Sequence, residues 1–169
     1  MTQDQWTPKP PVALFGTCAL ACLALGATVF AQSMPLENLA HFPRGTLTIS
    51  ARGRIHRFKV WIANTPSRQE QGLMFVRDLP PDQGMIFPQQ PPQPVQFWME
   101  NTYVPLDMLF VDPDGRIGKI IANATPFSER LLPSDGPVEA VIEIAGGEAE
   151  KLGLAVGARV RWQINRPGG

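Results

Sequence analysis

Cysteine is nearly missing from this chain: there are 2 in 169 residues, Cys18 and Cys22. Both fall inside one apolar run near the N-terminus. Beyond that run there is no disulfide to form, no thiolate nucleophile and no Cys-ligated metal. Histidine is as scarce, with only His41 and His56. Neither belongs to a Ser–His or Cys–His arrangement for nucleophilic catalysis. His56 reads as a solvated or capped residue at the start of a strand, not as a metal ligand. An excess of one charge is also lacking, because Lys+Arg and Asp+Glu both number 15 and the formal net charge is zero. A balanced chain without a basic run carries no electrostatic footprint for nucleic acid, and none is expected as a partner. Long segments free of breakers are few as well. The 18 prolines and 15 glycines favour short strands between turns over long helices.

What is present begins with an uncharged run from Val12 to Phe30, preceded by Lys9 and followed by Ala31-Gln32-Ser33. Val29 and Ala31 are small residues where a signal peptidase cleaves, so residues 1–31 are expected to be a signal peptide. The alternative is an uncleaved membrane anchor, since the run is about long enough to span a bilayer. Either way the domain is expected to be exported: periplasmic, or held in the inner membrane and facing the periplasm. Membrane contact is expected only through this segment, if it is retained. Residues 32–45 are polar and proline-interrupted and read as a tether. Residues 46–165 read as a single β domain, and 166–169 as a tail.

Within the domain, Thr46–Ala51 and Ile55–Ala63 alternate as strands, with Phe58, Val60 and Ile62 facing inward. Thr65-Pro66 caps and opens a short helix that Gly72 stops. Gly84–Phe87 is a brief buried strand. Pro88–Pro94 reads as a surface loop of polyproline character. The stretch Val95–Asp112 reads as strand, polar turn and strand, with the turn at Asn101-Thr102. In it Trp98 occupies an otherwise polar face and Asp107 an otherwise apolar one. Asp112-Pro113-Asp114-Gly115 is a turn between strands. In Val138–Ile144, Ala140, Ile142 and Ile144 share one face, with Glu139, Val141 and Glu143 on the other. Gly146-Gly147 leads to a single helical turn, Glu148–Leu152, closed by Gly153. A last strand ends at Ile164. This pattern predicts a mainly β, jelly-roll-like antiparallel sandwich or flattened barrel with one or two short helices.

Several of these segments together resemble a known family. Arg68 with Gly72-Leu73-Met74, then Gly84-Met85-Ile86-Phe87, then Phe97-Trp98-Met99-Glu100-Asn101-Thr102 with Pro105-Leu106-Asp107, is similar to the bacterial and archaeal family called domain of unknown function 192. Val141–Gly147 resembles its later strand-and-glycine element. The resemblance spans Leu47 to about Ile164 and implies a jelly-roll-like β domain, with no established activity, cofactor or substrate. Where that family commonly has lysine after the tryptophan-methionine pair, this chain has Glu100, which reverses a charge beside the candidate site. The resemblance also implies that Arg68, Asn101, Thr102, Asp107 and Glu143 belong to the family's recurring motifs.

The candidate ligand-binding residues are Arg68, Trp98, Asn101, Thr102, Asp107 and Glu143. Asp107 on an apolar face needs a partner, because burying an unpaired carboxylate is expensive. Arg68 is the expected one, since a guanidinium meets a carboxylate with two parallel hydrogen bonds. One reading makes Arg68, Asp107 and Glu143 a structural lock. Another makes them part of a small polar-ligand cleft with Trp98 as stacking wall and Asn101 and Thr102 as hydrogen-bonding groups. The methionines Met74, Met85, Met99 and Met108 lie on apolar rows and read as core filler and not as copper ligands. No metal or cofactor is expected. The expected role is a non-catalytic binding or structural accessory module of the cell envelope, whose partner is a small polar ligand or another envelope protein. The alternative is a hydrolase of an envelope glycan or similar substrate, acting through Asp107 and Glu143 as paired carboxylates.

Overall fold

A computed structural model describes residues 36–165. The expected signal peptide, the first residues of the tether and the tail at 166–169 lie outside the described residues. Strands β1 (Arg44–Ala51) and β2 (Arg54–Ile62) form a hairpin. Its turn residues Arg52 and Gly53 both have positive φ, 49° and 73°. A two-residue type I′ turn needs that conformation, and its twist matches the flanking strands. Helix α1 (Pro66–Gln71) follows as the sequence predicts. Thr65 Oγ1 accepts the Arg68 N–H at 3.3 Å, and Gly72 ends the helix at φ 49°. The chain continues through β3 (Gln83–Gln93), β4 (Gln96–Phe97), β5 (Leu106–Val111) and β6 (Ile117–Ala124). It ends with β7 (Leu132–Pro133), β8 (Val138–Ala145), α2 (Glu148–Leu152) and β9 (Arg159–Ile164).

Seven strands make one sheet in the order β6-β5-β8-β3-β2-β1-β9, and β4 pairs with β7 in a small ribbon. All neighbours in the large sheet run antiparallel except β2 and β3, which are parallel because the chain crosses over through α1. At one end the two edges of the sheet meet. Arg116 bridges to Arg159, and the Ile117 N–H donates to the Ala158 carbonyl at 2.9 Å. The expected mainly β architecture with two short helices is therefore the one adopted, as a large mixed sheet that curls without closing into a barrel.

Curling gives the sheet two apolar layers. On the inner face Leu47, Ile49, Phe58, Val60, Ile62, Ile86, Leu109, Val111, Ile142 and Ile144 pack together, and Ala149 of α2 joins them. On the outer face Met85, Phe87, Met108, Phe110 and Val141 pack under Phe42, Trp61, Leu73, Leu79 and Met99. Every residue of β5 is buried, which is why it reads as a continuous apolar run broken only by Asp107. His56 is half-buried, and its Nε2 is buried with no partner among the described residues.

Three local expectations are corrected. Pro88–Gln93 is not a loop but the outer half of β3. It runs alongside β8 past a register shift between Pro88 and Gln93, where prolines are tolerated because the ladder is already interrupted. The two strands expected in Val95–Asp112 do not pair with each other across the Asn101-Thr102 turn, because β4 pairs with β7 while β5 pairs with β6 and β8. The described part of the tether is not free chain. Leu39–His41 forms a 3-10 turn, Phe42 is buried in the outer layer, and β1 begins at Arg44.

Candidate functional site

Asp107 and Glu143 lie on neighbouring strands but point to opposite sides of the sheet. In the β5–β8 ladder Asp107 stands opposite Ile144, and Met108 stands opposite Glu143. Successive side chains alternate between faces, so Asp107 enters the inner layer and Glu143 the outer one. They share no cleft, and the acid–base pair on which the alternative hydrolase reading depended is not formed.

The expected partnership of Asp107 with Arg68 is also corrected. Asp107 is fully buried, and backbone amides satisfy it. Its Oδ1 accepts the N–H of Asn123 at 2.8 Å and of Gly147 at 3.0 Å, and its Oδ2 accepts the N–H of Ala149 at 2.7 Å. The double glycine makes this possible. Gly147 turns at φ 84°, and a Cβ on Gly146 would meet Pro105 Cβ at 2.9 Å. Arg68 instead grips Glu37. Its Nη2 donates to Oε1 at 2.6 Å and its Nε to Oε2 at 2.8 Å, while Nη1 reaches Asn64 Oδ1 at 2.9 Å. The guanidinium also lies 5.1 Å from the Phe42 ring centroid. Its hydrogen bonds hold the Glu37 carboxyl below the usual carboxylate range. Gln71 completes the clasp, accepting the Glu37 N–H at 2.7 Å and donating to the Glu37 carbonyl at 2.8 Å. Asn101 has a turn role: it takes φ 52°, and its carbonyl accepts the Phe75 N–H at 2.9 Å.

The remaining three candidates converge. Glu143, Thr102 and Trp98 line one cleft of about 410 Å³, bounded by the end of α1, the outer half of β3 and the segment from Pro94 to Thr102. Glu143 forms its floor between Met85 on β3 and Met108 on β5. It is 4% exposed. Among the described residues no hydrogen bond or cation offsets its burial, and desolvation pushes its carboxyl up to about 8. Trp98 at the rim is 45% exposed. Thr102 is buried and donates through Oγ1 to the Glu100 carbonyl at 3.1 Å. Phe87 and Phe97 meet edge to face at 5.0 Å as one wall.

Sequence reasoning missed the glutamines. Gln69, Gln89, Gln93 and Gln96 line the cleft. Gln89 is buried, with its Oε1 accepting from Gln93 Nε2 at 3.0 Å. Gln69 ties α1 to β3 through a 2.9 Å bond to the Pro88 carbonyl. The signal was visible as Gln89 and Gln93 in Pro88–Pro94, the segment taken for a loop, with Gln96 just beyond it. As strand, the same segment becomes a cleft wall. Glu100, the charge-reversed position, also lines the cleft. Among the described residues no group of His, Cys, Asp or Glu is placed to hold a metal ion, and no helix is long and apolar enough to cross a membrane.

Comparison with known proteins places this arrangement. A search of curated proteins finds no match. Two solved structures resemble the chain closely. One is a protein of unknown function from Novosphingobium aromaticivorans DSM 12444, 39% identical, with a TM-score of 0.72 over 78% of this chain and 94% of the other. The second, from Sinorhizobium meliloti 1021, is described as a "putative transcription regulator". It is 42% identical, with a TM-score of 0.70 over 72% of this chain and 95% of the other. The model of the DUF192 family, "Uncharacterized ACR", matches residues 47–162. Strands β2 to β8, the cleft and the Asp107 cradle all fall within that span, and the chain belongs to the DUF192 family.

Proposed function

We propose that this domain is a non-catalytic binding module that takes a small polar ligand into the cleft above Glu143. The observation that carries the reading is the Glu143 carboxyl, buried against Met85 and Met108 without an internal partner. The carboxyl makes no hydrogen bond to the described residues and opens to the cleft, so a ligand entering there supplies the bond. Trp98 offers a flat apolar face at the rim, and Thr102 and the glutamines offer donors and acceptors. A thermal-shift panel of amines, polyols, amino acids and small carboxylates tests it. A ligand that raises the melting temperature of the wild-type protein and not of a Glu143→Leu variant supports the reading. A panel with no Glu143-dependent ligand sinks it.

The transcriptional role named for the Sinorhizobium protein is not carried over, because 15 basic residues are balanced by 15 acidic ones and no basic stripe favours nucleic acid. The apolar run at residues 12–30 supports an exported domain, periplasmic or anchored in the inner membrane. N-terminal sequencing of the protein from an envelope fraction decides between the two: a new terminus at Gln32 means cleavage, and an intact Met1 means an anchor.

A further inference from the structure

The charge lining the cleft is of one sign. Glu70 reaches it from α1, Glu100 from the turn before Asn101, and Glu143 from β8, while no Lys, Arg or His among the described residues lines it. From β3 the polar side chains lining the cleft are the neutral Gln89 and Gln93, and the ladder neighbours of Glu143 are the fully buried Met85 and Met108. The walls are aromatic, with Phe87, Phe97 and Trp98. Three carboxyls without a cation repel an anionic ligand. A neutral ligand could bond to Glu143 but would draw nothing from the negative field of Glu70 and Glu100. An ammonium group uses all of it: it pairs with a buried carboxylate, and aromatic faces attract it.

Resting on the reading of this cleft as a ligand site, we infer that its ligand carries an alkylammonium group, which pairs with Glu143 while its alkyl stem lies along Phe87 and Phe97. The negative field favours the cation at every pH at which Glu143 is ionised. Because burial holds the proton on Glu143 up to about 8, the ammonium displaces that proton on binding. Affinity therefore rises about tenfold per pH unit below that value and levels off above it.

Calorimetry on the purified full-length protein with n-butylammonium, n-butanol and xylitol tests this from pH 6 to 9. The expected result is binding of butylammonium, with about one proton released near pH 6.5, as shown by heats that differ between buffers of unlike ionisation enthalpy. Glu143→Gln, which keeps the shape of the protonated acid, should melt no lower than wild type, bind butylammonium at least about tenfold more weakly and lose the pH dependence. Binding of butanol or xylitol as tight as that of butylammonium, without proton release, overturns the ammonium class and leaves the cleft a ligand site. Failure of all three probes overturns the ammonium class. Failure of the wider thermal-shift panel as well removes the cleft reading itself.

Discussion

Asp107 and Glu143 are two buried acids one ladder step apart, and the fold treats them in opposite ways. Asp107 is held by three backbone N–H donors and knits β5 to the turn before α2. Replacing it by Asn puts an amide donor against amide donors. Asp107→Asn should therefore lose about 1–3 kcal/mol in urea unfolding, with ligand binding unchanged in the fraction that stays folded. Glu143 has no such support, and its carboxyl rises from an ordinary 4.5 to about 8. The folded state keeps this proton where the unfolded chain has lost it, so stability falls as pH rises from 4.5 and stops falling above 8. Glu143→Gln removes that loss. It should match wild type near pH 4.5 and become progressively more stable than wild type as pH rises towards 8, as read from denaturation midpoints. A mutant that loses stability at pH 8 would contradict this. That Asp107 needed a partner was legible from its place on an apolar row. Its actual partners are main-chain groups, which carry no residue identity and leave no mark in a sequence.

At the level of elements, the clasp between the segment before β1 and α1 decides how far the ordered domain extends. Helix α1 has six residues and buries none of them, and a helix that short persists only through tertiary contacts. Glu37–Arg68, Gln71–Glu37 and Gln69–Pro88 supply them. Arg68→Ala should open residues 36–44 to limited proteolysis well below the global melting temperature, while the rest of the domain stays resistant. The pH dependence has the opposite sign to that of Glu143. The Glu37 carboxyl is held below its ordinary value, so the clasp is intact above the ordinary carboxylate range and is lost as pH falls below it, through the depressed value. Proteolysis of the wild type should show the same early cleavage in acid. The cap Thr65-Pro66 and the stop at Gly72 were readable because they are local chemistry. That Arg68 reaches 31 residues back along the chain, and not forward to Asp107, depends on where the first strand docks.

For the molecule as a whole, stability concentrates where strands are covered on both faces and paired on both edges. β8 lies between β5 and β3, and β5 between β6 and β8. Hydrogen exchange should be slowest at β5 and β8 and fastest at the two-residue strands β4 and β7, where the cleft opens. Equal protection across the two sets would mean that the ribbon is part of the cooperative core. The cleft thus sits between the most and least protected parts of the fold, with its acid on a rigid strand and its aromatic rim on the lightly held segment.

From residues alone came the mainly β class, the family, both short helices, the alternation in β2, β5 and β8, and the oddity of Asp107 and Trp98. All of these are short-range patterns of turn chemistry and side-chain period. The tertiary structure decided what they meet: a parallel crossover at β2–β3, a proline-rich strand where a loop was expected, an arginine clasping Glu37, and two acids on opposite faces. Which distant groups come within hydrogen-bonding reach depends on strand order and register. These follow from how the whole sheet buries its two apolar faces, and no single segment encodes that outcome.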